Sequence, residues 1–277
     1  MDPDDFRAES RARWEGAAAG WVARRPAFQR AAQPVSMAMI DLLEPQPGHT
    51  VLELAAGPGD TGLLAAELVQ PGGKVVITDG AEGMVEVARR RAEELGVANV
   101  EVRQMEAEWI DLPAASVDGV VCRWGYMLLA DPGAAFRETR RVLRPGGRVA
   151  LAAWTDYDHN AWFNIIGRAL GEDRPQPGLP GPFGFAEPGH VDGLLEEAGF
   201  DEILVETLDF TMRMPSKDAY FEHQRALSTR FNAALAGMTP AEHARVRDEI
   251  DRLLEPFLGA EGSVALPART WIASALG

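Results

Sequence analysis

The sequence has one cysteine, Cys122, so it can form no intrachain disulfide and no cysteine cluster for zinc. Cys122 follows Val120 and Val121, an apolar run that fits a buried core thiol. No apolar stretch reaches the roughly 20 residues a membrane-spanning helix requires. The opening Met1-Asp2-Pro3-Asp4-Asp5 lacks the basic start and apolar run of a signal peptide. These absences point to a reduced, cytoplasmic protein. Cations are scarce as well: 27 Lys and Arg stand against 42 Asp and Glu, a net charge of −15. That balance argues against a nucleic acid backbone or an anionic lipid surface as the main ligand. The five histidines are scattered and offer no H-E-x-x-H spacing, so no metal is expected. Composition sets no oligomeric state.

What remains is a 277-residue chain with 46% hydrophobic residues, enough for a sizeable core. Residues 6–44 read as amphipathic helix, with Trp14, Trp21, Phe28, Met37, Ile40 and Leu43 as apolar points; Pro26 and Pro34 divide it into pieces. Beyond Pro45-Gln46-Pro47-Gly48 the period alternates. Strands at 51–54, 75–78, 100–104, 117–122 and 148–154 are separated by helices at 60–69, 81–95 and from Pro132 to Leu143. Short connections between such elements predict right-handed βαβ units and an α/β, doubly wound parallel sheet. A Pro/Gly-rich loop at 171–189 precedes a helix at 188–198 and a strand at 203–210. Residues 216–258 read as two helices separated near Thr239-Pro240, and a last strand runs from about Thr270 to Ala275.

The most informative stretch is Val51-Leu52-Glu53-Leu54-Ala55-Ala56-Gly57-Pro58-Gly59-Asp60-Thr61-Gly62. A buried strand, closely spaced glycines and a helix start cradle a small polar ligand, because the backbone approaches closely and free N–H groups point at it. The run satisfies G-x-G-x-x-G, and Asp79 follows Gly57 by 22 residues, where a ribose-binding acid belongs. Hydride-transferring NAD(P)-dependent oxidoreductases and methyl-transferring enzymes both use such a turn. The surroundings separate them. Glu53 inside the strand suits a ligand with an ammonium group and repels a pyrophosphate, and no Arg or Lys lies between 51 and 73.

Five segments in order carry a resemblance: Val51–Gly59; Asp79 after Val75-Val76-Ile77-Thr78; Met105-Glu106-Ala107-Glu108; Ser116-Val117-Asp118-Gly119-Val120-Val121; and Arg141-Val142-Leu143-Arg144-Pro145-Gly146-Gly147-Arg148. Together they resemble the class I S-adenosylmethionine-dependent methyltransferases, most closely the small-molecule branch that includes the ubiquinone and menaquinone enzymes. The resemblance covers residues 48–155 well. It implies a Rossmann-like seven-stranded sheet with an antiparallel last strand and a helical cap. The corresponding divisions are an N-terminal helical lid (1–47), the donor-binding domain (48–210), a cap insertion (211–260) and a returning strand (261–277). It implies S-adenosylmethionine as cofactor and S-adenosylhomocysteine as product. Glu53 and the loop from Ala55 through Gly57 to Gly59 would hold the methionine tail, and Asp79 the ribose hydroxyls. Gly80 and Met84 would lie near the nucleoside, Glu106 and the Ala107 backbone at the adenine, and Arg123 in the pocket wall. Two positions depart from the family pattern: Ala55 stands where glycine is usual and Glu106 where aspartate is usual. Met84 also has helical spacing to Ala88 and fits plain core equally well.

Acceptor-side candidates follow the fourth and fifth strands, since ligands sit at the carboxyl ends of a parallel sheet. They are Arg123, Trp124 and Tyr126, then Tyr157, His159 and Trp162. His159 is the base candidate on chemistry, with Tyr126 second; the alternative for His159 is a polar loop residue beside Asp158. His190 reads as a helix start, and His223 and His243 as solvated helix faces. Trp14 and Trp21 form an aromatic lid or pack on the sheet. Cys122-Arg123-Trp124-Gly125-Tyr126 lacks the Asn/Asp-Pro-Pro-aromatic run of enzymes that methylate nucleobase amino groups. The expectation is a methyltransferase acting on a small aromatic or apolar acceptor. A non-catalytic donor-binding module is the alternative outside enzymes.

Overall fold

The computed structural model describes residues 2–277. Seven strands form one sheet: β1 (Thr50–Glu53), β2 (Lys74–Asp79), β3 (Val100–Gln104), β4 (Val117–Arg123), β5 (Leu143–Trp154), β6 (Asp201–Met214) and β7 (Val264–Leu276). Their order is β3-β2-β1-β4-β5-β7-β6. The first five run parallel, with Val51 opposite Val75 and Gly119, and β7 runs antiparallel to both β5 and β6. The order reverses between β1 and β4, so a crevice must open beyond their carboxyl ends. This is the expected seven-stranded architecture. The central strands read as continuous apolar runs because helices cover both faces: Leu52, Val76, Val120, Val121, Val149 and Leu151 are all buried. Cys122 is buried among them, as its neighbours predict.

Helices α2 (Asp60–Leu68), α3 (Glu82–Glu94) and α4 (Pro132–Val142) connect the parallel strands. The N-terminal region departs from expectation. It is not divided at its prolines: α1 runs unbroken over Pro3–Leu43 with Pro26 and Pro34 inside. Each proline removes one backbone hydrogen bond. Tertiary packing offsets that loss, because Phe28, Ala32, Val35, Met39, Ile40 and Leu43 are buried along α1. Among the described residues no helix is long and apolar enough to cross a membrane.

Three further differences lie after β5. A helix not anticipated from sequence, α5 (Ala161–Ala169), follows β5; α6 (His190–Glu197) precedes β6. Between β6 and β7 stand three helices where two were expected: α7 (Lys217–Leu227), α8 (Thr229–Ala236) and α9 (Pro240–Leu254). Ser228 makes the extra break. It leaves helical geometry, and its hydroxyl accepts the Phe231 N–H at 3.1 Å to cap α8. Thr239 and Glu242 then form the capping box that starts α9. The last strand begins at Val264 rather than Thr270, because Leu266, Ala265 and Val264 continue the ladder against β6.

Helix α1 crosses α7 at Gly20, where an added Cβ would collide with the carbonyl oxygen of Ala226. A backbone atom cannot move aside as a side-chain tip can. Gly20→Val should therefore lower stability by about 1–3 kcal/mol, checked by urea unfolding against Gly16→Val, whose Cβ meets nothing within 4 Å.

Candidate active site

β1 delivers Glu53 to the crevice, and the chain turns through three left-handed residues: Ala55 (φ 47°), Gly57 (φ 52°) and Gly59 (φ 76°). Hydrogen bonds from Leu54 N–H to Val121 O and from Ala56 N–H to Thr78 O, both 2.9 Å, clamp the turn to β4 and β2. A Cβ on Gly57 would touch nothing within 4 Å, so its face is open to a ligand. A Cβ on Gly59 would press on Ile77 and Ala88 at 3.3 Å, which reserves that position for glycine. Ala55 holds a conformation that glycine adopts more easily, consistent with its departure from the family pattern.

Glu53 is buried; its Oε2 faces Gly62 at the start of α2 and makes no hydrogen bond of good geometry there. Burial pushes its carboxyl up to about 8; the Arg123 guanidinium and the Gly62 and Thr61 amides pull the other way, and Asp60 adds to the rise. Asp79, at the end of β2, is half-buried. Its two oxygens accept the N–H groups of Gly57 and Ala81, each at 2.9 Å. Burial raises it to about 6 despite those two bonds, and Glu106 and Glu15 add to the rise. A buried, unpaired carboxylate oxygen beside an open glycine turn fits an ammonium group. A carboxylate with lone pairs to spare at the next strand end fits a diol.

Asp60, at the start of α2, collects arginines that the local sequence does not contain. Arg25 from α1 donates to it through Nε at 2.8 Å, and Arg91 and Arg123 lie at 3.7 and 3.8 Å. These three cations neutralise Asp60. Arg123 itself donates to Ser36 Oγ at 2.7 Å and Gln29 Oε1 at 3.2 Å. It therefore ties the end of β4 to α1.

The residues expected at the adenine also meet α1. Glu106 is bonded by Arg11 Nε at 3.0 Å, and a Cβ on Gly80 would come within 2.9 Å of Glu106 Oε2. Met84 is buried with Ala81 and Ala18, and Trp14 and Trp21 pack over them. Ala107 is buried beside Glu108, which accepts from Arg7 Nε at 2.9 Å. Both Glu15 carboxylate oxygens lie 3.0 Å from the Gly83 amide at the start of α3.

Of the residues expected on the acceptor side, the structure brings Trp14, Trp21, Trp124 and Trp162 into one aromatic chain. Trp14 lies 6.4 Å from Trp21, Trp21 4.8 Å from Phe28, and Phe28 5.6 Å from Trp124 and 6.4 Å from Trp162. Trp124 stacks on Trp154 at 4.2 Å and donates its Nε1 to Thr270 at 3.0 Å. Its φ of 59° is an outlier for a bulky residue. These contacts hold that strained conformation at the mouth of the crevice.

Two expected residues, Tyr126 and His159, stand apart from this chain, and Tyr157 joins it only through Phe183 and Phe163, which leads to Trp162. The Tyr126 hydroxyl is buried, bonded to Thr139 at 2.6 Å, with its ring on Phe136; burial holds its proton far above the usual phenol range. His159 is half-exposed, with Nδ1 2.7 Å from Asp156. Tyr157 donates to the Asn164 carbonyl at 3.0 Å and meets Phe183 edge-on. His223 differs from its expectation as a solvated residue: it is 1% exposed, because α7 packs against α1 and is tied to α5 by the Tyr220 and Gln224 bonds to the Trp162 carbonyl. Phe28, Trp154 and His223 are members of this region that sequence reasoning missed. Tyr220 and Leu227 share a helical face with His223, a signal masked by the polar residues between them. Among the described residues no three His, Cys, Asp or Glu side chains group as a metal site.

The sheet order, the glycine turn and the two strand-end carboxylates define a Rossmann-like nucleoside-binding domain without a built diphosphate site. Residues 51–147 match the family model described as "Methyltransferase domain". The chain is 33% identical over 200 residues to the nocamycin O-methyltransferase of Saccharothrix syringae, covering 68% of this chain and 71% of that protein. It is 38% identical over 113 residues to the ubiquinone/menaquinone biosynthesis C-methyltransferase UbiE of Pasteurella multocida, 40% of this chain and 42% of that protein. The chain thus spans less than half the length of the latter relative. The YcgJ protein of Bacillus subtilis shares the fold, with a TM-score of 0.59 at 21% identity over 87% of this chain and 97% of that one. This chain belongs to the class I S-adenosylmethionine-dependent methyltransferase family.

Proposed function

We propose that the chain transfers the methyl group of S-adenosylmethionine to a small aromatic or otherwise apolar acceptor. The observation that carries this reading is Glu53 Oε2, buried and unpartnered at the foot of the turn whose Gly57 face is open. When bound, S-adenosylmethionine supplies an electrophilic methyl on a sulfonium. Glu53 would hold the ammonium of the methionine tail, with the Ala55–Gly59 backbone around it. Asp79 would accept from the ribose hydroxyls and Glu106 from the adenine amino group. The aromatic chain from Trp21 to Trp124 would exclude water and align the acceptor, a contribution worth ~7–11 kcal/mol in well-oriented systems.

In this reading α1 is the lid. Its first half holds Glu106 through Arg11 and the Gly83 amide through Glu15, so donor entry requires these contacts to open. Pro26 leaves the Val22 carbonyl without its helical donor, and that is the natural flexing point. An NAD(P) diphosphate would meet Glu53 and Asp79, and the cations that reach the helix start after the turn, Arg25, Arg91 and Arg123, are committed to Asp60.

The test is thermal unfolding with each cofactor. S-adenosylhomocysteine at a hundred times its dissociation constant should stabilise the protein by about 2.7 kcal/mol, and NADH or NADPH should leave it unchanged. The reverse result overturns the proposal. Methyl transfer from labelled donor to hydroxylated aromatic acceptors would rule out a binding-only module.

A further inference from the structure

Acidic residues outnumber basic ones by 42 to 27, so a cation in this chain has carboxylates to choose from. Arg25 and Arg230 each take one, Asp60 and Glu172. Arg24 on α1 and Arg225 on α7 do not. Among the described residues neither forms an ion pair, Arg24 makes no hydrogen bond, and its Nε is buried without a partner. The two arginines share a space. Both line a cavity of about 500 Å³ that opens to solvent between α1, α7, α8 and α9. Small-molecule sites commonly have volumes of roughly 300–1,000 Å³.

The protein itself holds the walls of this cavity in place. On α8, Asn232 donates Nδ2 to the Arg225 carbonyl at 2.6 Å and accepts Arg225 Nε at 3.4 Å, which sets the guanidinium at the α7–α8 seam. On α9, His243 donates Nε2 to the Leu235 carbonyl at 2.5 Å and ties α9 to α8. Helix α1 closes on α7 where Gly20 meets Ala226, and Ala226 is in the wall. Ala226, Leu235 and Ala236 supply the apolar part of the lining. Among the described lining residues Glu222 is the only acid, and it pairs with neither arginine.

We propose that this cavity binds a small monocarboxylate with an apolar body, its carboxylate held by Arg24 and Arg225 and its body against Ala226, Leu235 and Ala236. The charge follows from the walls. Guanidinium forks match a carboxylate in shape and hydrogen-bond donors. Two arginines against one glutamate leave a surplus of one positive charge. A monoanion balances that surplus, whereas a phosphate dianion exceeds it and is repelled by Glu222. The body follows from the apolar lining, which a bare inorganic anion would leave exposed to water. Arg24 lies on α1 and Arg225 on α7, so the occupant bridges the N-terminal helix and the helices between β6 and β7. None of these wall residues belongs to the donor turn, and the inference stands apart from the methyltransferase reading.

The probes are cyclohexanecarboxylate and cyclohexanecarboxamide, which share the ring and differ in charge. They are titrated calorimetrically into the full chain without donor, at low ionic strength. The wild type should bind the carboxylate about tenfold or more tightly than the amide. Arg24→Gln and Arg225→Gln should each weaken carboxylate binding about threefold or more and leave amide binding within about twofold. Glu222→Gln removes the opposing charge and should strengthen carboxylate binding about twofold. Thermal unfolding establishes that each variant is folded. If an arginine variant is not, Glu222→Gln decides the question, because damage to the cavity would weaken binding and only the loss of repulsion strengthens it. No carboxylate binding by the wild type, equal affinity for the amide, unchanged carboxylate affinity in the folded arginine variants, or an affinity that does not rise in Glu222→Gln would overturn the proposal. Failure to bind S-adenosylhomocysteine would overturn the donor reading and leave this one standing.

Discussion

Asp79→Ala should weaken S-adenosylhomocysteine binding roughly ten- to a hundredfold, the equivalent of losing hydrogen bonds to a charged group worth about 1.5–3 kcal/mol. The loss has two sources. The first is direct, since the variant has no acceptor for the ribose hydroxyls. The second acts through the turn: Asp79 holds the Gly57 and Ala81 amides at 2.9 Å, and the variant leaves both without their acceptor. Asp79→Asn separates the two. Its single carbonyl oxygen can keep one of those amides, but its NH2 group faces the other and cannot accept from a diol. If the ribose contact dominates, Asn should lose nearly as much affinity as Ala while melting closer to the wild type. Calorimetric titration and thermal unfolding of both variants read the two quantities. Unchanged affinity in Asp79→Ala would refute the assignment.

The sequence exposes the proposed donor half of this site and hides most of the proposed acceptor half, for a physical reason. The donor cradle is local. Glu53, Gly57 and Gly59 lie within seven residues, and Asp79 is one βαβ unit away, so strand period and glycine spacing carry the geometry. The arginines around Asp60 come from α1, α3 and β4, and no spacing rule links positions 25, 91 and 123. The continuity of α1 was hidden for a similar reason. Pro26 and Pro34 are breakers by local propensity, and the packing of Val35, Met39 and Leu43 that overrides them is tertiary. His223 shows the limit most clearly. Its neighbours Glu222 and Arg225 belong to a polar face, and only the docking of α7 on α1 buries the imidazole. The aromatic residues were visible individually, but the stacking of Trp124 on Trp154 depends on β4 and β5 being neighbours.

Donor binding should release close to one proton per site at pH 7, and its affinity should climb with pH up to about 8. The cause is Glu53. Its carboxyl stands at about 8 in the donor-free protein against 4.5 for an ordinary glutamate, chiefly through burial. At pH 7 the group is therefore mostly neutral. An ammonium group placed beside it favours the ionised form, and binding expels the proton. Below pH 8 the affinity should then rise by about tenfold per pH unit and level off above it. The donor-free protein should show the opposite trend in stability. The folded state holds this proton and the unfolded state sheds it at 4.5, so stability falls as pH rises from 4.5 to about 8. Ligand and folding thus pull Glu53 in opposite directions, and saturation with S-adenosylhomocysteine should flatten the fall. Calorimetry at pH 7 in phosphate and in Tris, whose ionisation enthalpies differ, counts the proton directly. Glu53→Gln should abolish both the release and the pH dependence between 6 and 8 that belongs to this group, leaving a smaller dependence near 6 from Asp79, whose carboxyl is raised to about 6. Equal apparent enthalpies in the two buffers for the wild type would show that no proton leaves, and would remove Glu53 from the ammonium site.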